Sequence, residues 1–295
     1  MEAKLEERKN TIDLIKKILP FFVILLAAAL AGGMFAGKNT EKAASETVAL
    51  TGSENMDIYN PVTGNDLDTG EEGAEPLTRE AAEAETLQGG KYLLSGDYNG
   101  TIEIDAHDEI VHLILDNANI RANDGPALYV RSAAKVVLTA RDGSENTLSD
   151  SGYHSVQDLK AALFAYSDVT INGSGRLNIS GFYKDAVHTS GFFKVLDTDI
   201  GLKAKRTAID ADDGMLLMPS KMTAEAEKTG LKSGIHNKTD KGCIYILGGE
   251  NAVIAGNTAI LSGKDLYVSG CSLSISAVIS DMEVEGVSYI EEGCL

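Results

Sequence analysis

The chain has 295 residues, of which 43% are hydrophobic and 24% are charged, so it is long enough to bury a sizeable core. Its formal net charge of -18 argues against nucleic acid as a partner, because phosphate binding needs an excess of basic side chains. The three cysteines (Cys243, Cys271 and Cys294) are too few for a disulfide framework and lack the paired spacing of a zinc site.

The first notable segment is an uncharged, mainly apolar run at residues 18–37, which predicts a transmembrane helix. Twenty residues that rise about 1.5 Å each span a hydrocarbon core of about 30 Å. More basic residues precede the run than directly follow it, so residues 1–17 are predicted to be cytoplasmic and the rest extracellular. A cleaved signal peptide is the alternative, because Ala29-Leu30-Ala31 fits the small-x-small cleavage pattern.

Residues 38–90 are predicted to form an acidic, flexible linker. They carry three basic and twelve acidic side chains and few large apolar ones, so they cannot bury enough surface to fold alone. Within this segment, residues 77–85 contain helix-forming residues behind a possible cap at Thr78. They could form a short helix that covers the first repeat of the next segment, or continue the linker.

Residues 91–295 contain an internal repeat, which indicates the fold. A short string recurs, and its third residue marks each copy: Leu128, Phe164, Val187, Ile209, Leu231 and Ile260. The successive separations are 36, 23, 22, 22 and 29 residues, so the basic period is near 22 with two insertions. Further short runs of alternating apolar and polar residues lie between the markers, with Gly, Asn or Asp at the corners.

This pattern predicts an all-β domain, a right-handed parallel β-helix with about 22 residues per coil. Three short strands per repeat make one triangular coil, and stacked coils bury their inward residues in a continuous column. Phe164, Val187 and Ile209 are expected to lie in that column. An antiparallel sandwich would show hairpin turns and irregular spacing, and leucine-rich repeats would show an Asn column that is missing here.

Four strings carry a resemblance to a known family: VHLILDNANI, KVVLTARDGSENTLSD, AALFAYSDVTINGSGRLNISGFYKDAV and TAIDADDG. Most of residues 93–295 resembles the bacterial extracellular carbohydrate-binding β-helix family of plant-biomass degraders, whose fold looks like that of family 9 pectate lyases. The resemblance implies binding of polygalacturonate and cellulose, calcium in the coil turns and no demonstrated cleavage. The chain departs from the family's repeated Asp-Gly-Ile marker. Asp185 retains the acidic residue of the marker, but the equivalent positions of later coils hold Thr207, Thr229 and Thr258.

Four carboxylates are the predicted Ca²⁺ ligands: Asp185, Asp210, Asp212 and Asp213. Calcium takes six to eight oxygen ligands, so a site needs several Asp side chains at one corner. The last three lie in one turn, and a 22-residue period brings the preceding coil alongside. Asp197 and Asp199 mark a second, weaker corner. The alternative is that Asp at a turn only caps the backbone.

Three aromatic side chains are the predicted carbohydrate contacts: Tyr153, Phe182 and Tyr183. Flat rings suit sugar faces, and the chain has no Trp. The alternative is that Phe182 packs inside and Tyr183 is on the surface by chance. Cys243 and Cys271 are expected to be nearly stacked on adjacent coils, either as a disulfide or as reduced thiols, while Cys294 has no evident partner.

The predicted function is a monomeric, membrane-anchored, extracellular protein that binds acidic or plant cell-wall polysaccharide without cleaving it. Binding to polyuronate is expected to depend on calcium, because both partners are anionic and a divalent ion would bridge them. One alternative is a structural or adhesive surface module with a protein partner. Another is a weak calcium-dependent polysaccharide lyase, in which Lys194, Lys203 or Lys205, expected near the acidic corner from their coil positions, would remove a proton beside a uronate carboxylate. Exposed lysines on turns are usually solvating charges, so no catalytic residue is predicted.

Overall fold

The computed structural model describes residues 58–234 and 241–295. The predicted anchor at residues 18–37 lies outside these residues. Within the described part of the chain, no helix has the length and apolar character that crossing a membrane requires.

The described residues form two parallel sheets and two short helices, α1 (Gly64–Leu67) and α2 (Arg79–Ala84). The sixteen-stranded sheet contains β1 (Glu75–Pro76), β2 (Gly90–Asn99), β4 (Ile110–Arg121), β6 (Lys135–Ala140), β7 (Glu145–Ser149), β9 (Asp168–Asn172), β10 (Arg176–Gly181), β12 (Phe192–Leu196), β13 (Asp199–Ala204), β15 (Gly214–Met218), β16 (Lys221–Ala226), β18 (Cys243–Ile246), β19 (Glu250–Ala255), β21 (Leu266–Val268), β22 (Ser272–Ala277) and β24 (Ser288–Ile290). The eight-stranded sheet contains β3 (Ile102–Asp105), β5 (Leu128–Ser132), β8 (Ala161–Ala165), β11 (Asp185–Thr189), β14 (Thr207–Ala211), β17 (Thr229–Ser233), β20 (Thr258–Ser262) and β23 (Ser280–Val284).

The strand register confirms the repeat. In the eight-stranded sheet, Val187 pairs with Ile209 and Ile209 pairs with Leu231, both at the basic period. From β5 onward, each strand of this sheet is separated in sequence from the next by two strands of the larger sheet, whereas the single long strand β4 separates β3 from β5, so successive coils stack in parallel. The all-β prediction is therefore confirmed, and the long parallel sheets are consistent with a parallel β-helix.

A column of apolar side chains fills the space between the sheets. Val187, Ile209 and Leu231 are fully buried in it, as their period-2 spacing predicts. Phe164 is buried, as expected of a core residue, but it is not part of this column, because Leu163 pairs with Val187 and takes the inward position. A shift of one residue moves a strand side chain to the opposite face, so Phe164 lies on the outer face.

The larger period after Leu231 comes from an insertion between β17 and β18. The position of Cys243 within its coil, counted from Leu231 across this insertion, is therefore shifted. The prediction that Cys243 stacks on Cys271 is wrong. Ile244 pairs with Leu266, so the residue beside Cys243 in the next coil is Asp265. All three cysteines are free thiols.

Residues 58–90 lie against the sheets, although the sequence places them in the linker. The short helix expected near Thr78 is confirmed as α2, and the Thr78 hydroxyl accepts a hydrogen bond from the Ala81 N–H at 3.2 Å. Leu77 and Ala82 belong to the apolar column, so α2 covers its N-terminal part. Residues 58–69, hereafter the strap, lie on the outer face of the sixteen-stranded sheet.

Candidate functional site

The outer face of the eight-stranded sheet carries a row of large side chains. The strand register places five residues at equivalent positions of five adjacent strands: Tyr129, Phe164, His188, Asp210 and Lys232. Their neighbours along each strand, such as Leu163 and Ile209, point into the column, so alternation places these five on the outer face. Phe164, His188 and Asp210 are nevertheless buried there, and Tyr129 and Lys232 are half-buried. We call this set the outer row. It changes from aromatic to charged along the sheet.

The aromatic half of the outer row is a contiguous cluster of rings. The Phe164 ring centroid lies 6.2 Å from that of Tyr129, 4.9 Å from that of His188 and 5.2 Å from that of Tyr166. Tyr166 follows β8 directly, and 52% of its surface is exposed. The Arg131 guanidinium carbon lies 5.6 Å from the Tyr129 ring centroid. Phe164 therefore supports exposed rings that can contact a ligand.

The charged half centres on Asp210, which is buried. Its carboxylate lies 3.1 Å from Lys232 Nζ, 3.6 Å from Lys160 Nζ and 3.6 Å from His188 Nδ1. Burial alone would raise the pKa of Asp210, but the contacts with His188, Lys232 and Lys160 hold that pKa well below its usual range. The carboxylate is therefore ionised at neutral pH.

Asp185 lies beside this group, one strand earlier, and is fully buried. Arg206 donates hydrogen bonds to both of its oxygens, one from Nε at 2.8 Å, and the Thr207 N–H donates another at 3.1 Å. The hydrogen bond to Asp185 raises the pKa of Arg206. Asp185 thus orients the guanidinium on the surface of the coil corner.

The expected four-carboxylate site is only partly assembled. Among the described residues, one group of three or more acidic, His or Cys side chains has ligand atoms within 4.8 Å of one another: Asp185, His188 and Asp210. Asp212 and Asp213 do not join it, and the Asp213 carboxylate instead pairs with Lys241. At the second corner, Asp199 pairs with Arg176 at 3.3 Å.

The donor chemistry of this group fits calcium poorly. The Asp185 and Asp210 oxygens already contact Arg206, Lys232 and Lys160, so three cations face two carboxylates. Calcium needs six to eight oxygen ligands. It would have to displace these cations to bind even the two carboxylates. No step of the proposed function therefore runs through calcium.

The three predicted sugar-contact residues lie around one coil corner. Tyr153 and Phe182 are 65% and 49% exposed, so the alternative that Phe182 packs inside is wrong. The Tyr183 ring stacks on His154 at 4.4 Å and has Lys184 Nζ 4.4 Å from its centroid. These contacts leave Tyr183 less ring surface for a sugar than an isolated tyrosine would offer.

A buried pair beneath this corner positions His154. His154 Nε2 lies 3.0 Å from Asp150 Oδ2, and the other Asp150 oxygen accepts a hydrogen bond from the Phe182 N–H at 2.5 Å. Burial raises the pKa of Asp150 to about 6, against the opposing effect of these contacts. The pair fixes the loop that carries Tyr153 relative to the strand that precedes Phe182.

Lys194 does not lie near the acidic corner, where the sequence places it. It is on β12 in the other sheet, is 1% exposed and is covered by the strap. Its ammonium donates hydrogen bonds to Asn60 Oδ1 at 2.8 Å, Pro61 O at 3.0 Å and Asp66 Oδ2 at 3.1 Å. Burial lowers the pKa of Lys194, while Asp66 opposes that shift.

Asp66, which the sequence does not single out, is the centre of the strap. It is fully buried and accepts hydrogen bonds from Lys135 Nζ at 2.7 Å and Thr170 Oγ1 at 2.5 Å, besides Lys194. Burial would raise the pKa of Asp66, but Lys194 and Lys135 hold it well below its usual range. An acidic residue in an acidic segment gives no sequence signal, so only the fold reveals this role.

A groove of about 640 Å³ lies between the strap and the turns of neighbouring coils. Its lining includes the carboxylates of Glu71, Asp116, Asp142 and Asp197. Arg141, which also lines it, pairs with Glu71 at 2.6 Å and with Asp116 at 2.5 Å. Polar and charged residues form most of the groove's lining, and no aromatic side chain is among them, so the outer row is the better candidate for contact with sugar rings.

The chain belongs to a family of carbohydrate-binding domain-containing proteins, whose shared region matches residues 83–290. This region contains the outer row and the coil corner with Tyr153 and Phe182.

Two particular proteins are similar to it. A carbohydrate-binding domain-containing protein of Acetivibrio thermocellus is 28% identical over 288 residues, which cover 95% of this chain and 98% of that protein. The solved structure of a polysaccharide lyase-like protein from C. thermocellum, a gadolinium derivative, has a TM-score of 0.66 at 26% identity, covering 72% of this chain and 87% of that one.

Proposed function

We propose that the protein binds acidic or plant cell-wall polysaccharide through the outer row, without cleaving it. The observation that carries the proposal is the continuous series of aromatic and charged side chains across five adjacent strands, in a chain of a carbohydrate-binding family. A polysaccharide that lies across the strands would meet the rings of Tyr129 and Tyr166 first and the lysines around Asp210 next, because these are the accessible side chains of the group. The neighbouring Tyr153 and Phe182 could extend this contact around the corner.

The charges of the outer row suit an anionic sugar. Residues 91–295 carry eighteen basic and twenty-eight acidic side chains, so an acidic polysaccharide is repelled by the domain as a whole. Near Asp185 and Asp210, however, Lys160, Arg206 and Lys232 outnumber the carboxylates. Arg206 presents a planar donor group that fits a carboxylate, so uronate recognition needs no bridging metal ion.

Tyr166→Ala is expected to weaken binding to polygalacturonate or cellulose about tenfold, because it removes the exposed ring that packs on Phe164 beside the outer row. The measurement is retention on each insoluble polymer. Tyr289→Ala is the matched control, since Tyr289 is 47% exposed but belongs to the other sheet. Equal retention of both variants would contradict the proposal, and selective loss in Tyr153→Ala would move the site to the coil corner.

Calcium dependence is a prediction from the sequence, and the ion pairs of Asp185 and Asp210 weigh against it. We expect retention on polygalacturonate to be the same in calcium and in chelator. The double variant Asp212→Asn with Asp213→Asn keeps side-chain shape and should bind as wild type does. A loss of binding in chelator that this variant reproduces would restore calcium to the mechanism.

The proposal includes an extracellular domain tethered to the cell membrane by residues 18–37 and a monomeric state.

The absence of cleavage is supported by the position of Lys194, which the strap buries. Incubation with polygalacturonate should yield no ultraviolet-absorbing unsaturated product. Appearance of that product would establish the lyase alternative, and failure to bind any glycan would favour the adhesive module with a protein partner.

A further inference from the structure

The thiols of Cys271 and Cys294 are neighbours in adjacent coils. The register pairs Val268 with Ile290, and the Leu273 N–H donates a hydrogen bond to the Cys294 carbonyl at 2.6 Å. Cys294 belongs to the apolar column and Cys271 packs against it. The two side chains are in hydrogen-bonding contact, and the Cys271 thiol also donates to the Ile246 carbonyl at 3.7 Å. The register places Asp265, and not Cys271, beside Cys243.

We propose that Cys271 and Cys294 are a disulfide site, which closes the loop between two successive coils when the protein meets a low-molecular-weight disulfide such as oxidised glutathione. One thiolate attacks the glutathione disulfide and expels a glutathione thiolate. The second protein thiolate then attacks the mixed disulfide and expels the other. The protein loses two electrons and two protons, and two glutathione thiols form.

The surroundings of Cys271 determine how fast this reaction proceeds. Burial raises the pKa of Cys271 to about 12, with further contributions from Cys294 and Glu291. Only a small fraction of its thiol is ionised at neutral pH, so oxidation should accelerate as the pH rises. The cross-link would hold the turn that carries Cys294 against β22, and it would restrict the unfolded chain more than the folded one.

The test uses the full-length protein, treated with oxidised glutathione at several pH values, then denatured and alkylated. Before alkylation, the intact mass should be about 2 Da below that of the reduced chain, from the two hydrogens lost. After alkylation, the oxidised chain should carry one alkyl group where the reduced chain, with its three free thiols, carries three. Peptide mapping should join the peptides of Cys271 and Cys294, and the oxidised form should melt at a higher temperature. Cys243→Ser should behave as wild type does.

Two results would overturn the site. One is that Cys271 and Cys294 remain alkylatable after prolonged oxidation at alkaline pH. The other is that Cys243 supplies one half of the cross-link. Cys294→Ser separates these outcomes from misfolding, because its chain should show no intramolecular disulfide at any pH, and Cys271 should stop at the mixed disulfide with glutathione.

Discussion

Replacing Asp66 with alanine is expected to destabilise the protein by about 3 kcal/mol or more, because it leaves the buried ammonium of Lys194 without its carboxylate. Lys135 and Thr170 lose the same acceptor. The chain can relieve part of this cost by releasing the strap from the sheet. Urea unfolding measures the loss of stability, and hydrogen exchange over residues 58–69 measures the release.

Asp68→Asn is the matched control for Asp66→Ala. Asp68 lies on the same segment and pairs with Lys91 at 2.8 Å, but 44% of its side chain is exposed, so its loss should cost less than about 1 kcal/mol. The double variant Asp66→Asn with Lys194→Met removes both charges and should recover much of the stability. Equal effects of Asp66→Ala and Asp68→Asn would show that the strap does not depend on the buried pair.

The contribution of Asp66 should also depend on pH with a definite sign. Its pKa in the folded protein is depressed, so its stabilisation is fully present above the unfolded value of about 3.9 and is lost as the pH falls through the folded value. The stability difference between wild type and Asp66→Asn should therefore be constant at neutral pH. It should shrink only in strong acid.

Ile209→Asp is expected to destabilise the protein by at least about 3 kcal/mol. Ile209 is fully buried, and its strand neighbours Val187 and Leu231 are equally buried, so a carboxylate there would have no partner. Lys203→Ala is the control, because Lys203 lies on an exposed position of β13 and should be nearly silent. Chemical denaturation of both variants makes the comparison, and equal losses would mean that the inward register is wrong.

The sequence is sufficient to predict the repeat and the parallel strands, since both follow from local alternation and a regular period. Counting by this period places the inward position of β8 at Phe164, one residue too late, because a long insertion precedes the strand. That error hides the outer row, because the row exists only when Phe164 stands beside His188. A second insertion, between β17 and β18, misplaces Cys243 in the same way, so register errors arise where the period is broken.

Contacts between distant parts of the chain are the other limit. Asp66 and Lys194 are 128 residues apart, and neither has a local pattern that predicts burial. A charged residue is normally exposed, so composition assigns both to solvent. The cations around Asp210 are equally hidden, because Lys160 belongs to a loop and Lys232 lies two strands away from His188.

The strap has a consequence for how the domain unfolds. A protein made of stacked repeats, in which each unit touches only its neighbours, can lose units one after another from an end. Asp66 links three adjacent strands, because it accepts hydrogen bonds from Lys135 on β6, Thr170 on β9 and Lys194 on β12. These three coils must then separate as one cooperative unit, and severing the strap should broaden the unfolding transition as well as shift it.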